Sequence, residues 1–270
     1  MRCAVLGDPI EHSLSPTLHR AGYDAVGLDW RYDAVQLGTA GLAGFLAALD
    51  PGWRGLSLTM PLKRAVLPLA DVVSDRARTA GAANTLVLAD GRRHADNTDL
   101  PGAVAAVRER YDGPVRVATV VGAGATAAST GLALVELGAR EVVLLARSAE
   151  RAAETVAVVA AHPAAPRVRV EPLDAPVVGE VVVSTVPASA QDASLVERTG
   201  DAPVVFEVLY DPWPTPLAAA AAERGQALVG GLDLLVHQAA LQFTAFTGVA
   251  APLEAMRAAG ERALAERAGA

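Results

Sequence analysis

Apolar and polar positions along this chain group into short runs of strand length separated by longer segments of helical character. Residues 2–6 (RCAVL), 30–35 and 54–58 (RGLSL) read as strands, and 13–27 and 39–49 between them as helices, the first opened by Ser and Pro. Residues 84–88 (NTLVL) and 92–95 flank Asp90-Gly91, a pair that supplies positive φ, and so predict a hairpin. A helix is expected from Pro101. A cleaner series follows, with strands at 117–121, 142–146, 168–171, 181–184 and 203–207 and helices at 125–137 and 149–161. Strand alternating with helix implies a parallel sheet covered on both faces. From Leu232 the chain reads as helical and closes with an amphipathic segment at 252–268. There is no internal repeat and no low-complexity linker, although Ala218–Ala222 is locally biased.

Composition bounds the picture. The 270 residues are 52% hydrophobic and 20% charged, enough for two ordinary domains and a sizeable core. Aromatics are only 4%, so Ala, Val and Leu must fill that core. The formal net charge of -7, with no basic stretch interleaved with aromatics, argues against nucleic-acid affinity. The N-terminus lacks a signal-peptide h-region, and no apolar run is long enough to span a bilayer, so a cytoplasmic protein without a membrane partner is expected. Cys3, the single cysteine, excludes an intrachain disulfide and reads as a small buried residue. The five histidines lack paired metal-ligand spacing, so no structural metal is expected.

Two rarities carry chemistry. Lys63, in SLTMPLK (57–63), is the only lysine in a chain whose other basic side chains are all Arg. Arg stays protonated at any working pH, whereas Lys can give up a proton, so a lone Lys is expected where a proton moves. The chain also has only two asparagines, Asn84 and Asn97, each followed by Thr. In GDPIEHSLSPTLH (7–19), Ser13 and Ser15 stand beside Pro16 at an expected helix start, where two hydroxyls and backbone N–H groups suit a carboxylate.

VATVVGAGATA (117–127) contains Gly122-x-Gly124-x-x-Ala127 between a Val-rich strand and a helix, the context a dinucleotide fingerprint needs. Gly122, Ala123, Gly124, Ala125 and Thr126 are the candidate pyrophosphate cradle at the helix N-terminus. The end of the next strand decides the cofactor. Where an NAD enzyme places an acid against the ribose, this chain has Arg147 and Ser148, with Arg151 one turn on. Guanidinium groups there suit a 2′-phosphate, and so NADP.

Taken together, GDPIEHSLSPTLH, SLTMPLK, GAANT (81–85), DNTD (96–99), GAGATA (122–127), ARSAER (146–151), STVP (184–187), YDPWPTPL (210–217) and GLDLLVHQA (231–239) resemble the shikimate dehydrogenase family across nearly the whole chain. The resemblance implies a two-domain α/β enzyme that reduces 3-dehydroshikimate to shikimate with NADPH. It implies a substrate domain over 1–99, to which 232–270 returns, and an NADP-binding Rossmann domain over 100–231. By resemblance, Ser13 and Ser15 hold the substrate carboxylate with Tyr210 nearby. Thr59, Asn84 and Gln238 bond the ring hydroxyls, and Lys63 and Asp99 form the catalytic pair. Thr185 lines the cofactor and Gly231 lies at its nicotinamide end. Five positions depart from the family pattern: Arg20, Ser57, Leu58, Asp233 and Leu234. The alternatives left open are a quinate/shikimate dehydrogenase of broader range and a non-catalytic NADP-sensing module. A homodimer is the assembly kept in view.

Overall fold

A computed structural model describes residues 1–269 and divides into two compact units. The first comprises Met1–Thr98 together with the chain from Leu235 onward, and the second comprises Asp99–Leu234.

The first unit contains β1 (Arg2–Gly7), α1 (Ser15–Ala25), β2 (Arg31–Gln36), α2 (Thr39–Ala47), β3 (Trp53–Leu58), α3 (Leu62–Ala65), β4 (Val72–Val73), α4 (Asp75–Ala80), β5 (Thr85–Ala89) and β6 (Arg92–Asp96). Its sheet runs in the order β2-β1-β3-β5-β6-β4. Strand β1 is parallel to both neighbours, and β5 is antiparallel to β3 and β6. Leu6, Leu42, Leu46, Leu56, Leu58, Leu62, Val66 and Leu86 form the core on one face, each fully buried side chain contributing about 1.5–3 kcal/mol. The expected hairpin is present: Asp90 (φ 53) and Gly91 (φ 70) supply the left-handed pair that matches the twist of β5 and β6.

Three short elements, α3, β4 and α4, stand where no element was predicted, because a few residues cannot display a period. Helix α4 is set by its ends. The Ser74 hydroxyl accepts the Ala77 N–H at 3.1 Å, and Gly81 stops the helix in the left-handed conformation (φ 60).

The second unit contains α5 (Asp99–Arg110), β7 (Val117–Val121), α6 (Ala125–Glu136), β8 (Glu141–Leu145), α7 (Ala149–Ala160), β9 (Arg167–Glu171), β10 (Val181–Ser184), α8 (Ala193–Arg198), β11 (Val204–Glu207), α9 (Pro216–Glu223) and β12 (Ala227–Val229). Helix α10 (Gly231–Thr247) begins in this unit and continues into the first, where α11 (Leu253–Ala268) packs on α1. The sheet is parallel throughout, ordered β12-β11-β10-β7-β8-β9. This is the doubly wound mononucleotide order, whose direction of progression reverses between β7 and β10. The inner strands β7, β8 and β10 are nearly continuous runs of Val and Leu because both faces are covered, while the edge strand β9 alternates Arg with Val.

Three details refine the sequence reading. Asp99 and residues 232–234 belong to the second unit: Asp99 is the first residue of α5, and Asp233 is tied to Arg110 of that helix. The Ala-rich stretch is helix α9, capped by Thr215, whose hydroxyl accepts the Ala218 N–H at 3.2 Å. Helix α11 buries only a narrow stripe, Met256, Ala259 and Gly260. Among the described residues, no helix is long and apolar enough to cross a membrane.

Candidate active site

The cofactor cradle is built at the reversal point of the second sheet. Gly122 leaves β7 with φ +115, and a Cβ there would fall 2.2 Å from Thr185 Oγ1. Thr185 in turn donates its hydroxyl to the Val121 carbonyl at 2.9 Å, so glycine and threonine lock the ends of β7 and β10 together. Gly124 is the N-cap of α6 and has open space where a side chain would stand. Ala125 and Thr126 form the first turn, whose N–H groups have no partner inside the helix. Two contacts hold the second layer. Thr155 of α7 donates to the Ala123 carbonyl at 2.9 Å, and a side chain at Gly131 would meet Val159 at 2.9 Å.

Around this turn lies a cavity of about 500 Å³ whose wall includes Gly122, Ala123, Gly124, Arg147, Arg151, Thr185 and Pro187. Ser148 stands behind it as the N-cap of α7, its hydroxyl accepting the Arg151 N–H at 3.3 Å. A dinucleotide 2′-phosphate fits this wall: it offers two guanidinium groups beside one helix start, and the open face of Gly124 admits a pyrophosphate. Gly231 is not in the wall. A Cβ at that position would lie 2.4 Å from the Val208 carbonyl oxygen and 2.5 Å from that of Leu209, so close packing at the start of α10 requires the glycine.

The loop after β11 carries half-buried Tyr210. Its anchor escaped sequence reasoning. Glu207 is fully buried and accepts hydrogen bonds from Gln191 Nε2 (2.5 Å), the Thr215 hydroxyl (3.0 Å) and the Leu209 N–H (3.0 Å). Burial raises its pKa above the usual carboxylate range, and these donors oppose the shift.

In the first unit, several predicted residues converge at the ends of β3 and β5. Thr59 packs its methyl against Gly7, where a Cβ would come within 2.3 Å. The Lys63 carbonyl accepts the Ala83 N–H at 2.7 Å, which fixes α3 beside the residue preceding Asn84. Asn84 and Gln238 meet directly, the Asn84 amino group donating to Gln238 Oε1 at 3.2 Å. Asn97 is fully buried and donates to the Ala82 carbonyl at 2.9 Å, shaping the turn before Asp99. Ser13 and Ser15 are neighbours, Ser13 Oγ accepting the Ser15 N–H at 3.3 Å, while the N-cap position itself falls on Leu14.

Sequence reasoning missed Thr85, Thr98 and Gln242, which surround Asn84. Each left a trace: the threonines follow the two asparagines, and Gln242 lies one turn beyond Gln238 on the same helix. The departures also acquire reasons. Ser57 bonds Tyr32 and Gln242, and Arg20 covers the sheet edge by donating to the Tyr32 carbonyl at 2.8 Å. Asp233 accepts the Gly230 N–H at 3.0 Å and pairs with Arg110 at 2.9 Å, capping α10. Leu234 is buried, 9% exposed, as an ordinary apolar residue of α10.

Comparison with known proteins agrees with this geometry. Residues 5–86 match the family model described as the shikimate dehydrogenase substrate binding domain, and residues 231–259 the shikimate 5'-dehydrogenase C-terminal domain. The chain is 33% identical to the shikimate dehydrogenase (NADP(+)) of Moorella thermoacetica, over 99% of this chain and 93% of that protein. The crystal structure of the Mycobacterium tuberculosis shikimate dehydrogenase superposes with a TM-score of 0.87 at 39% identity, covering 97% of this chain and 99% of that one. The Thermus thermophilus enzyme, solved in complex with NADP(H) and shikimate, does so with a TM-score of 0.86 at 30% identity, covering 97% and 99%. Likeness of this extent, over both units and in sequence as well as fold, means that the chain belongs to the shikimate dehydrogenase family.

Proposed function

We propose that this protein is an NADP-dependent shikimate dehydrogenase, reversibly reducing 3-dehydroshikimate to shikimate in the pathway to the aromatic amino acids. The observation that carries the cofactor half is the cavity at the β7–β10 reversal with Arg147 and Arg151 in its wall. The first unit, with the returning helices, is the substrate-binding domain, and the second is the NADP-binding domain. Bound NADPH supplies the hydride.

The chain's own residues do the rest. Ser13 and Ser15, with Tyr210, hold the substrate carboxylate. Thr59, Asn84 and Gln238 hold the ring hydroxyls. Lys63 stabilises the developing alkoxide and gives it a proton, and Asp99 is the second catalytic residue. Gly122 to Thr126, with Thr185, cradle the pyrophosphate. Arg147 and Arg151 take the 2′-phosphate from a helix start fixed by Ser148, and Gly231 belongs to the nicotinamide end. The enzyme works in the cytoplasm on a small molecule, without nucleic acid or membrane, and the assembly to look for by sedimentation is a homodimer.

Lys63 offers the clearest test of the proton-transfer step. Lys63→Ala should lower kcat by roughly 10²–10⁴-fold, the usual worth of general acid–base assistance, with NADP affinity unchanged. Lys63→Arg keeps the charge and removes the usable proton, so it should stay nearly as slow. Recovery of most activity in the Arg variant would leave Lys63 a purely electrostatic role.

A further inference from the structure

Helix α10 carries two buried glutamines one turn apart, Gln238 and Gln242. Gln242 is 1% exposed and every polar atom of its amide is used. Its Oε1 accepts the Ser57 hydroxyl at 2.7 Å, and Ser57 accepts the Tyr32 hydroxyl at 2.5 Å. Its Nε2 donates to the Asn84 backbone carbonyl at 2.9 Å and to Thr85 Oγ1 at 3.1 Å.

These links are directional. A hydroxyl has a single proton. With Thr85 Oγ1 accepting from Gln242, that proton goes to Asn84 Oδ1 at 2.8 Å. The same oxygen accepts the Thr98 backbone N–H at 2.8 Å, a donor that cannot reverse. Both ends therefore impose one orientation on the Asn84 amide. Its oxygen faces Thr85 and Thr98, and its amino group faces Gln238 Oε1 (3.2 Å) and Thr98 Oγ1 (3.0 Å). Turning the amide over would bury two N–H groups against two donors.

We infer that Gln242 is a positioning residue: acting through Thr85, it fixes the Asn84 amide with its amino group toward Gln238, so that a substrate hydroxyl that takes the place of Gln238 Oε1 meets an N–H and is held as an acceptor. This rests on the proposed role of Asn84 in holding substrate. The variants Gln242→Met, Thr85→Val and their combination cut the relay at one link, the other, and both. Gln242→Glu keeps the shape and the Oε1 acceptor but cannot donate to Thr85.

In steady-state oxidation of shikimate by NADP, each single variant should raise the KM for shikimate by about tenfold, the scale of one buried hydrogen bond. The KM for NADP should stay within about twofold, and the double variant should be no worse than the worse single one, because both cut one path. Gln242→Glu should behave like Gln242→Met. A merely structural role predicts additive losses that follow melting temperature, and that pattern, or an unchanged KM in Thr85→Val, overturns the proposal.

A second measurement is independent of the substrate. The chain has two asparagines, so selective ¹⁵N-asparagine labelling isolates the side-chain amides of Asn84 and Asn97. The relay predicts that both single variants shift the Asn84 amide and speed its hydrogen exchange, leaving Asn97 unmoved. An Asn84 amide unaffected by either variant refutes the positioning role. A wild-type protein inactive on shikimate would refute the functional reading, while the amide signals would still judge the relay.

Discussion

Arg147 and Arg151 sit at the place where a carboxylate would choose NAD. A charge-assisted contact to phosphate contributes on the order of 1.5–3 kcal/mol. Arg147→Ala should therefore raise the Kd for NADP by about ten- to a hundredfold and leave NAD binding nearly unchanged. Calorimetric titration with both cofactors reads this difference, and an equal loss for both would remove the phosphate from Arg147. His19 makes a different prediction, on stability. It is fully buried and stacked 4.1 Å from Tyr32, with no ordinary hydrogen bond at either ring nitrogen. Burial lowers its pKa to about 3, and the neighbouring Gln242 amide offsets only part of that shift. An unfolded histidine titrates near 6.5, so as pH falls the unfolded chain takes the proton first. The neutral ring's stability is full above about pH 6.5 and is lost at about 1.4 kcal/mol per pH unit down to the folded pKa. Denaturant unfolding should show wild type losing about 2 kcal/mol relative to His19→Leu between about pH 6.5 and pH 5. A difference independent of pH would mean that the ring is not buried neutral.

At the scale of elements, glycines with different duties separate binding from packing. Gly124→Ala adds a methyl into open space at the start of α6, so folding stability should hold while NADP affinity falls. Gly231→Ala drives a methyl into the backbone of Val208 and Leu209 at the start of α10. Overpacking against atoms that cannot yield costs about 1–3 kcal/mol, so its urea midpoint should drop. Equal stability in the two variants would contradict this division. Five strands of the second sheet were legible, β7, β8 and β10 most clearly as Val and Leu runs ending in turn signals, whereas β12, three residues long, was not. The elements α3, β4 and α4 were not, since they are held by Ser74, Gly81 and their contacts rather than by a period. The run Ala218–Ala222 hid α9 for the opposite reason: uniform alanine shows no face.

Across the whole molecule, the candidate site was legible wherever its residues lie close in sequence, as in Gly122 to Thr126 or Arg147 to Arg151. It was illegible where the chain returns on itself. The amide of Asn84 depends on Gln242, and through it on Ser57 and Tyr32, positions that only folding brings together. The net charge of -7 has no counterpart in this chemistry, because a phosphate needs only local cations. The account's central claim is a choice of two partners out of four, shikimate over quinate and NADP over NAD. Initial rates of nicotinamide reduction for shikimate and quinate, each with NADP and with NAD, measure that choice in one experiment. The account predicts that shikimate with NADP exceeds every other pair in kcat/KM, by at least about tenfold over shikimate with NAD, the loss of one phosphate contact. Preference for quinate or for NAD, or no turnover in any pair, would contradict it.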